Sequence, residues 1–424
     1  MAATDFAAVE DRLAEKSVAG EYGIFTRAGL LLAVIGVVLF GMAVMGEGSH
    51  RAWQTFHVNW LFWTGITGGS LALTAVHKIT NAKWSGVIIR FSQAASAMIP
   101  VSLIGLVLIL TLGYHDVYGH MAEELHGLSA GKAMWLSKPW MATRLVVGLA
   151  LLYWIGAQLI KCDLLPDLKL ARNKVSDSRQ ARYDKMLQGY DPERTHERTY
   201  RLAAVYAVVY AMVFSIVAFD GIMALQPHWF SNLLGGWYFM GSFLGAHTLL
   251  ALLMLFGVKA VGLREYISAK QRHDLGMLCF GFTVFWAYLM WAQFLVIWYG
   301  NLPEETGFVF SRLWGEWRNI GAMVFVGMFV IPFTGLLAVG PKKTPATLGL
   351  FTAISFCALW LERYLLVIPS VSATNTPTFG LPELGPTLAF LGLFLVSYGW
   401  FAKTYPMVSP RLALITLERE QGHH

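Results

Sequence analysis

Charged residues are scarce in this sequence, at 14% of 424 residues, where a soluble domain carries about 25%. Cysteine is scarcer still. Cys162, Cys279 and Cys357 lie far apart and form no CxxC or CxxCH. That argues against a zinc site, an iron–sulfur cluster or a covalently attached haem in this chain, and the three read as isolated thiols. A secretory signal is missing too: residues 1–27 are mixed in charge, with no cleavage pattern after an early apolar stretch. The first apolar run is therefore read as a retained helix that directs insertion. His423 and His424 are too few to suggest a metal site. The net charge of +6 does not point to nucleic acid, because the basic residues sit between apolar runs.

What the sequence has in excess is apolar surface. Hydrophobic residues make up 56%, with 16 Trp and 27 Phe, more than one soluble core can bury. Runs long enough to cross a ~30 Å hydrocarbon layer recur near 28–46, 55–76, 87–113, 140–160, 202–225, 237–259, 275–299, 319–339, 346–368 and 384–402. The expectation is an all-α membrane protein of about ten transmembrane helices. Of the 32 lysines and arginines, 25 fall in the N-terminal segment, the alternate loops and the C-terminal tail. By the positive-inside rule those parts are cytoplasmic. The 161–201 loop, rich in both signs of charge, reads as a solvated linker, with a docking surface as the alternative.

A repeat underlies the hydropathy. Trp60, Phe62 and Gly68 match Trp237, Phe239 and Gly245 at an offset of 177, as Trp140 matches Trp317. Asp220 and Pro227 match Glu362 and Pro369 at an offset of 142. The expected layout is a segment 1–27, a flanking helix 28–46, two similarly oriented four-helix bundles at 55–225 and 237–368, a flanking helix 384–402, and a tail 403–424.

Ionisable side chains inside apolar spans are costly and are functional candidates by default. They are His57, Arg144, Asp220, His247, Glu362 and Arg363. Asp220 lies ~27 Å and Glu362 ~24 Å along their helices from the cytoplasmic entry, so most of the set gathers in the outer half; His247 alone approaches the midplane. Acids and imidazoles exchange protons, and arginines hold acids ionised or orient a carbonyl. The acids can equally be interfacial groups paired with Arg144 or Arg363, and the histidines can simply be hydrogen-bonded or water-exposed. Haem b ligation by paired histidines is not supported, because His57 and His247 differ in depth; electrons would leave through a partner. Glu304 and Glu305, in an outer loop, either line a proton exit or contact another subunit, or sit at a helix N-terminus.

Three segments are distinctive. Phe219–Ser231 (FDGIMALQPHWFS) resembles the FDWxMSLxPHWFS-type signature of alternative complex III membrane subunits. Phe285–Tyr288 (FWAY), with Trp298–Asn301 and Pro303–Thr306, resembles the FWAY…IWYxNxPEET stretch of ActF-type subunits. Leu361–Arg363 (LER) through Pro369 resembles an element that ActC- and ActF-type subunits share. The resemblance covers about residues 20–405 and implies the NrfD/polysulfide-reductase membrane-subunit superfamily. It implies a non-catalytic-alone subunit of a quinol:cytochrome c-type oxidoreductase complex in the bacterial inner membrane. Its partners would be an NrfD-like paralogue, an iron–sulfur protein and a multihaem cytochrome c, which carry the clusters and haem. Menaquinone or ubiquinone is the implied ligand. Gly221 stands where the signature has Trp, which weakens a tight quinone pocket here and leaves an anchoring role as the alternative. A secondary transporter is the third reading, disfavoured because the repeat is not inverted.

Overall fold

The computed structural model describes residues 6–20, 22–262, 267–372 and 376–421; His423 and His424 lie outside the described residues. Every regular element among the described residues is helical. In chain order they are α1 (Phe6–Ala19), α2 (Gly23–Met45), α3 (Ser49–Ile79), α4 (Ile89–Gln93), α5 (Ile99–Thr111), α6 (Tyr114–Glu124), α7 (Ala130–Leu136), α8 (Lys138–Ala171), α9 (Asp177–Leu187) and α10 (Pro192–Gly221). There follow α11 (Leu234–Val261), α12 (Ala269–Gly300), α13 (Pro303–Leu313), α14 (Arg318–Phe325), α15 (Ile331–Gly335), α16 (Val339–Lys343), α17 (Pro345–Val371), α18 (Leu381–Thr404) and α19 (Pro410–Gln421).

The chain is an all-α, multi-pass membrane protein. Nine spans among the described residues combine the length and apolarity needed to cross a bilayer, and they coincide with nine of the ten runs expected from sequence. The remaining run is α3, long enough at about 46 Å but studded with Gln54, His57, Asn59, Thr64, Thr67 and Ser70. Its placement explains that composition. Ala52 through Ala75 are buried without a break, because α10, α11, α17 and α18 surround it. A helix that meets only protein needs no lipid-compatible face.

The first bundle is built from α3, the α4–α5 span, α8 and α10, and the second from α11, α12, the α14–α15 span and α17. The two meet along α3, α10, α11 and α17. The flanking helices α2 and α18 pack on each other more closely than any other pair. Gly29, Ala33 and Gly36 face Gly385, Ala389 and Gly392. A Cβ on Gly36 would come within 2.1 Å of the Ala389 nitrogen, and one on Gly392 within 2.2 Å of the Ala33 nitrogen. Small residues let backbones approach where lipid supplies no hydrophobic drive. Gly36→Leu is therefore expected to destabilise the protein by about 1–3 kcal/mol through overpacking. Thermal unfolding in detergent checks this, with Gly41→Leu as the control, since nothing lies within 4 Å of a Cβ there; equal melting of both variants would contradict the close packing.

Two sequence expectations change. The 161–201 stretch is not a solvated linker: α8 runs on to Ala171, α9 and the first turns of α10 fill most of the rest, and Asp163, Asp167 and Tyr183 are buried. Asp163 and Asp167 pair inside the protein, while Arg172, Lys185, Arg194 and Arg201 are among the charges of the stretch that stay exposed. The break between spans at 341–345 includes a short helix, α16, with Lys342 buried. On this basic face α1, α9 and α19 form a layer, tied by Met407 N–H to Ser17 O (2.9 Å) and by Tyr183 OH to Thr404 O (3.0 Å).

Candidate functional site: two acid–arginine centres

Asp220 ends α10, one residue before Gly221 closes the helix, and is fully buried. Arg144, two turns into α8, grips both carboxylate oxygens: Nε donates at 2.7 Å and Nη2 at 2.6 Å. The guanidinium also donates to the Trp135 carbonyl and stacks over the Trp135 ring at 4.0 Å. This fork-to-fork geometry is the strong form of a charge pair. On the other side of the same turn, His57 Nε2 donates to the Gly221 carbonyl at 2.7 Å. That bond fixes the neutral imidazole's tautomer and leaves Nδ1 as a buried acceptor without a partner. A Cβ on Gly221 would lie 2.9 Å from Leu61 and 3.7 Å from the His57 ring. Leu61 and His57 thus pack where a bulky residue after Asp220 would stand.

The second centre lies in α17. Glu362 is buried, accepting from Trp286 Nε1 of α12 at 2.9 Å and from Arg363 Nη1 at 2.7 Å. Arg363, equally buried, reaches the Tyr238 carbonyl and Ser242 Oγ of α11, with its guanidinium over the Tyr238 ring at 4.4 Å. Tyr238 OH in turn donates to the Leu61 carbonyl of α3 at 2.8 Å, joining the two bundles between the two centres. α10 and α17 therefore each hold one buried acid paired with an arginine.

No protein-family model matches this chain, and no curated protein matches it. Two of the three distinctive segments touch, and the first packs on the helix that the second opens. Trp286 of the second segment bonds Glu362 of the third, and Trp229 of the first stacks on Phe308 of α13 with ring centres 3.6 Å apart and planes at 6°.

Of the sequence candidates, the structure brings together His57 with the Asp220–Arg144 turn, and Glu362 with Arg363. It does not bring in His247, whose Nδ1 donates to Phe243 O on its own helix at 2.8 Å and whose ring packs against Phe243 and Phe282. Glu304 and Glu305 occupy the first turn of α13, where the helix N-terminus favours acids; Glu304 is exposed and Glu305 half-buried.

Sequence reasoning passed over two buried charge sites. Arg312, on α13, is buried, donating to Leu366 O at 2.7 Å and Ser370 Oγ at 2.6 Å. On the basic face, Arg90 and Asp167 are wholly buried and paired, and Asp163 joins them, with Lys78 at 2.5 Å and Arg411 at 3.6 Å. Their spacing along apolar runs gives no periodic signal. Only the pairing of distant helices reveals them.

Proposed function

We propose that this chain is an integral, non-catalytic-alone subunit of a quinol-oxidising electron-transfer complex of the bacterial inner membrane, handling protons through its two buried acid centres. The observation that carries the reading is the pair of acids, Asp220 in α10 and Glu362 in α17, each buried and charge-paired with an arginine. Keeping two such acids inside apolar helices is costly and calls for a reason beyond packing. Quinol oxidation supplies one, since it releases two protons with two electrons. The ActF-like segments favour the same assignment and imply the partners: an NrfD-like paralogue, an iron–sulfur protein and a multihaem cytochrome. The excess of lysine and arginine on the face where the termini meet favours cytoplasmic termini.

In the intact complex, the double variant Asp220→Asn with Glu362→Gln should lower turnover or proton coupling by about a hundredfold, the scale of a lost acid–base group. Asn and Gln keep the shape and an acceptor oxygen for Arg144, Trp286 and Arg363, and turnover is compared only per assembled complex, because Arg363 loses its buried counter-charge. Wild-type turnover with wild-type coupling would refute the proposal.

A second reading, a membrane anchor with a degenerate site, is favoured by one feature: Arg144 satisfies both oxygens of Asp220, and Gly221 with His57 and Leu61 leaves that centre tightly packed. It predicts normal turnover in the double variant.

A further inference from the structure

On the basic face, a concave site of about 260 Å³ lies between α8, the 188–191 turn and the first turns of α10. Three cations line it: Lys161 of α8, and Arg194 and Arg198 of α10. Its one carboxylate, Asp191, is already engaged. It caps α10 by accepting from the Arg194 N–H at 3.1 Å and lies 3.7 Å from the Arg194 guanidinium. Among the described residues, Lys161 and Arg198 have no carboxylate within ion-pair distance; Arg198 instead donates to the neutral Gln158 Oε1 of α8 at 3.3 Å. All three cations are exposed, so their charged ends are reachable from outside the protein. Neighbouring charges of the same stretch behave differently: Arg201 holds Glu197 at 2.8 Å, and Arg172 holds Asp184. A concave site with surplus positive charge and no free protein anion concentrates anions from outside.

The surface that continues from the site narrows the choice of anion. In α8, Val147, Leu151, Trp154, Gln158 and Lys161 recur at spacings of three or four and so form one stripe along the helix. Arg198, Arg201, Val205, Val208 and Met212 do the same in α10. The Gln158–Arg198 bond joins the two stripes and places them on the same side of the helix pair. In each stripe the charged end lies on the basic face, and the part that runs into the membrane is apolar and exposed. Close packing seals the floor between them, with Gly148 against Val213 and Gly156 against Tyr206. The result is a groove with a cationic head and apolar walls. A soluble anion would gain nothing from the walls. A zwitterionic lipid would bring an ammonium to a pocket whose only carboxylate is taken.

We infer that this groove binds an anionic phospholipid of the phosphatidylglycerol kind. Its phosphodiester accepts from the Lys161 ammonium and the Arg198 guanidinium, and its acyl chains lie along the two stripes. Basic pockets between spanning helices suit anionic headgroups in this way. The inference rests on the chain being embedded in a membrane and is independent of the quinol reading.

The test uses the full-length chain with its associated subunits, reconstituted into phosphatidylcholine vesicles that contain a small fraction of phosphatidylglycerol with a photoreactive acyl chain. Label is expected on peptides covering 147–161 and 198–212. Excess unlabelled phosphatidylglycerol should remove it, where added phosphatidylcholine or inorganic phosphate does not. Lys161→Gln with Arg198→Gln should reduce that label about twentyfold, roughly fivefold for each cation. Gln158→Glu gives Arg198 a carboxylate of its own at almost unchanged size and should reduce the label about fivefold; it reads the site if the double variant fails to assemble. Lys403→Gln, removing an exposed cation from the last turn of α18, is the control and should leave the label unchanged. Unchanged label in the pocket variants, an equal loss in the Lys403 control, or label confined to other peptides would overturn the inference. Equal competition by phosphatidylcholine would overturn it as well, and equal competition by inorganic phosphate would replace the lipid with a soluble anion.

Discussion

Arg90→Met is expected to cost the fold about 3–5 kcal/mol, the penalty for removing one partner of a buried ion pair. Arg90 is fully buried in α4 and sits between two carboxylates of α8. Asp167 depends on it most. Its other hydrogen bond is a neutral one from Ser409 Oγ at 2.9 Å, whereas Asp163 also faces Lys78 and Arg411 and accepts from Gln93 Nε2 at 2.7 Å. With a methionine at 90, Asp167 keeps a buried charge with only the more distant Arg411 to set against it, and most of its desolvation is no longer offset. The same cluster holds α19, because Ser409 and Arg411 open that helix, so its loss should loosen the C-terminal layer along with the bundle. Thermal unfolding in detergent reads the first effect, and proteolysis between α18 and α19 reads the second. Adding Asp167→Asn to the Arg90→Met background should restore a large part of the stability by removing the stranded charge. A single variant that melts like the wild type would mean that water already reaches this cluster.

That cluster also marks the limit of what the sequence discloses. Asp220, Glu362 and Arg363 are conspicuous in a linear reading because an ionisable side chain within an apolar run has no cheap place to go. Their cations were legible for the same reason. Lys78, Arg90 and Asp163 look ordinary, because a charge at the end of an apolar run is where a solvated loop begins. They are brought together only by tertiary packing, in which Arg411 of α19, more than 300 positions after Lys78, joins Lys78 at Asp163. The ten spans could be read because burial in lipid is a property of each segment alone. The polar stripe of α3 could be read as a span only from its length, since its solvent is the rest of the protein. His247 is a different case: an intramembrane histidine conspicuous in the sequence has its hydrogen-bond partner one helical turn away, at Phe243 O, the simpler of the two readings that the sequence left open.

The Arg144–Asp220 pair should behave as a tightly coupled unit in a double-mutant cycle. Arg144→Met alone leaves Asp220 buried, charged and stripped of the two hydrogen bonds that Arg144 donates, and should cost about 3–5 kcal/mol. Asp220→Leu alone is expected to cost less. The Arg144 side chain is 13% exposed, keeps the Trp135 carbonyl as an acceptor and can retain its stack on that ring. Combined, the two changes replace an ion pair with apolar neighbours, a substitution that is often neutral or even stabilising. The double variant should therefore be more stable than Arg144→Met, with a coupling energy of about 1.5–3 kcal/mol. Unfolding midpoints of the four proteins at one detergent concentration supply the cycle. Strict additivity would mean that the bidentate contact contributes nothing to the fold. If the double variant is well folded yet inactive in the complex, the pair is kept for proton handling despite a stable apolar substitute. If it is folded and active, the first bundle needs no ionisable group at this turn, and Glu362 in the second bundle becomes the acid on which the mechanism must rest.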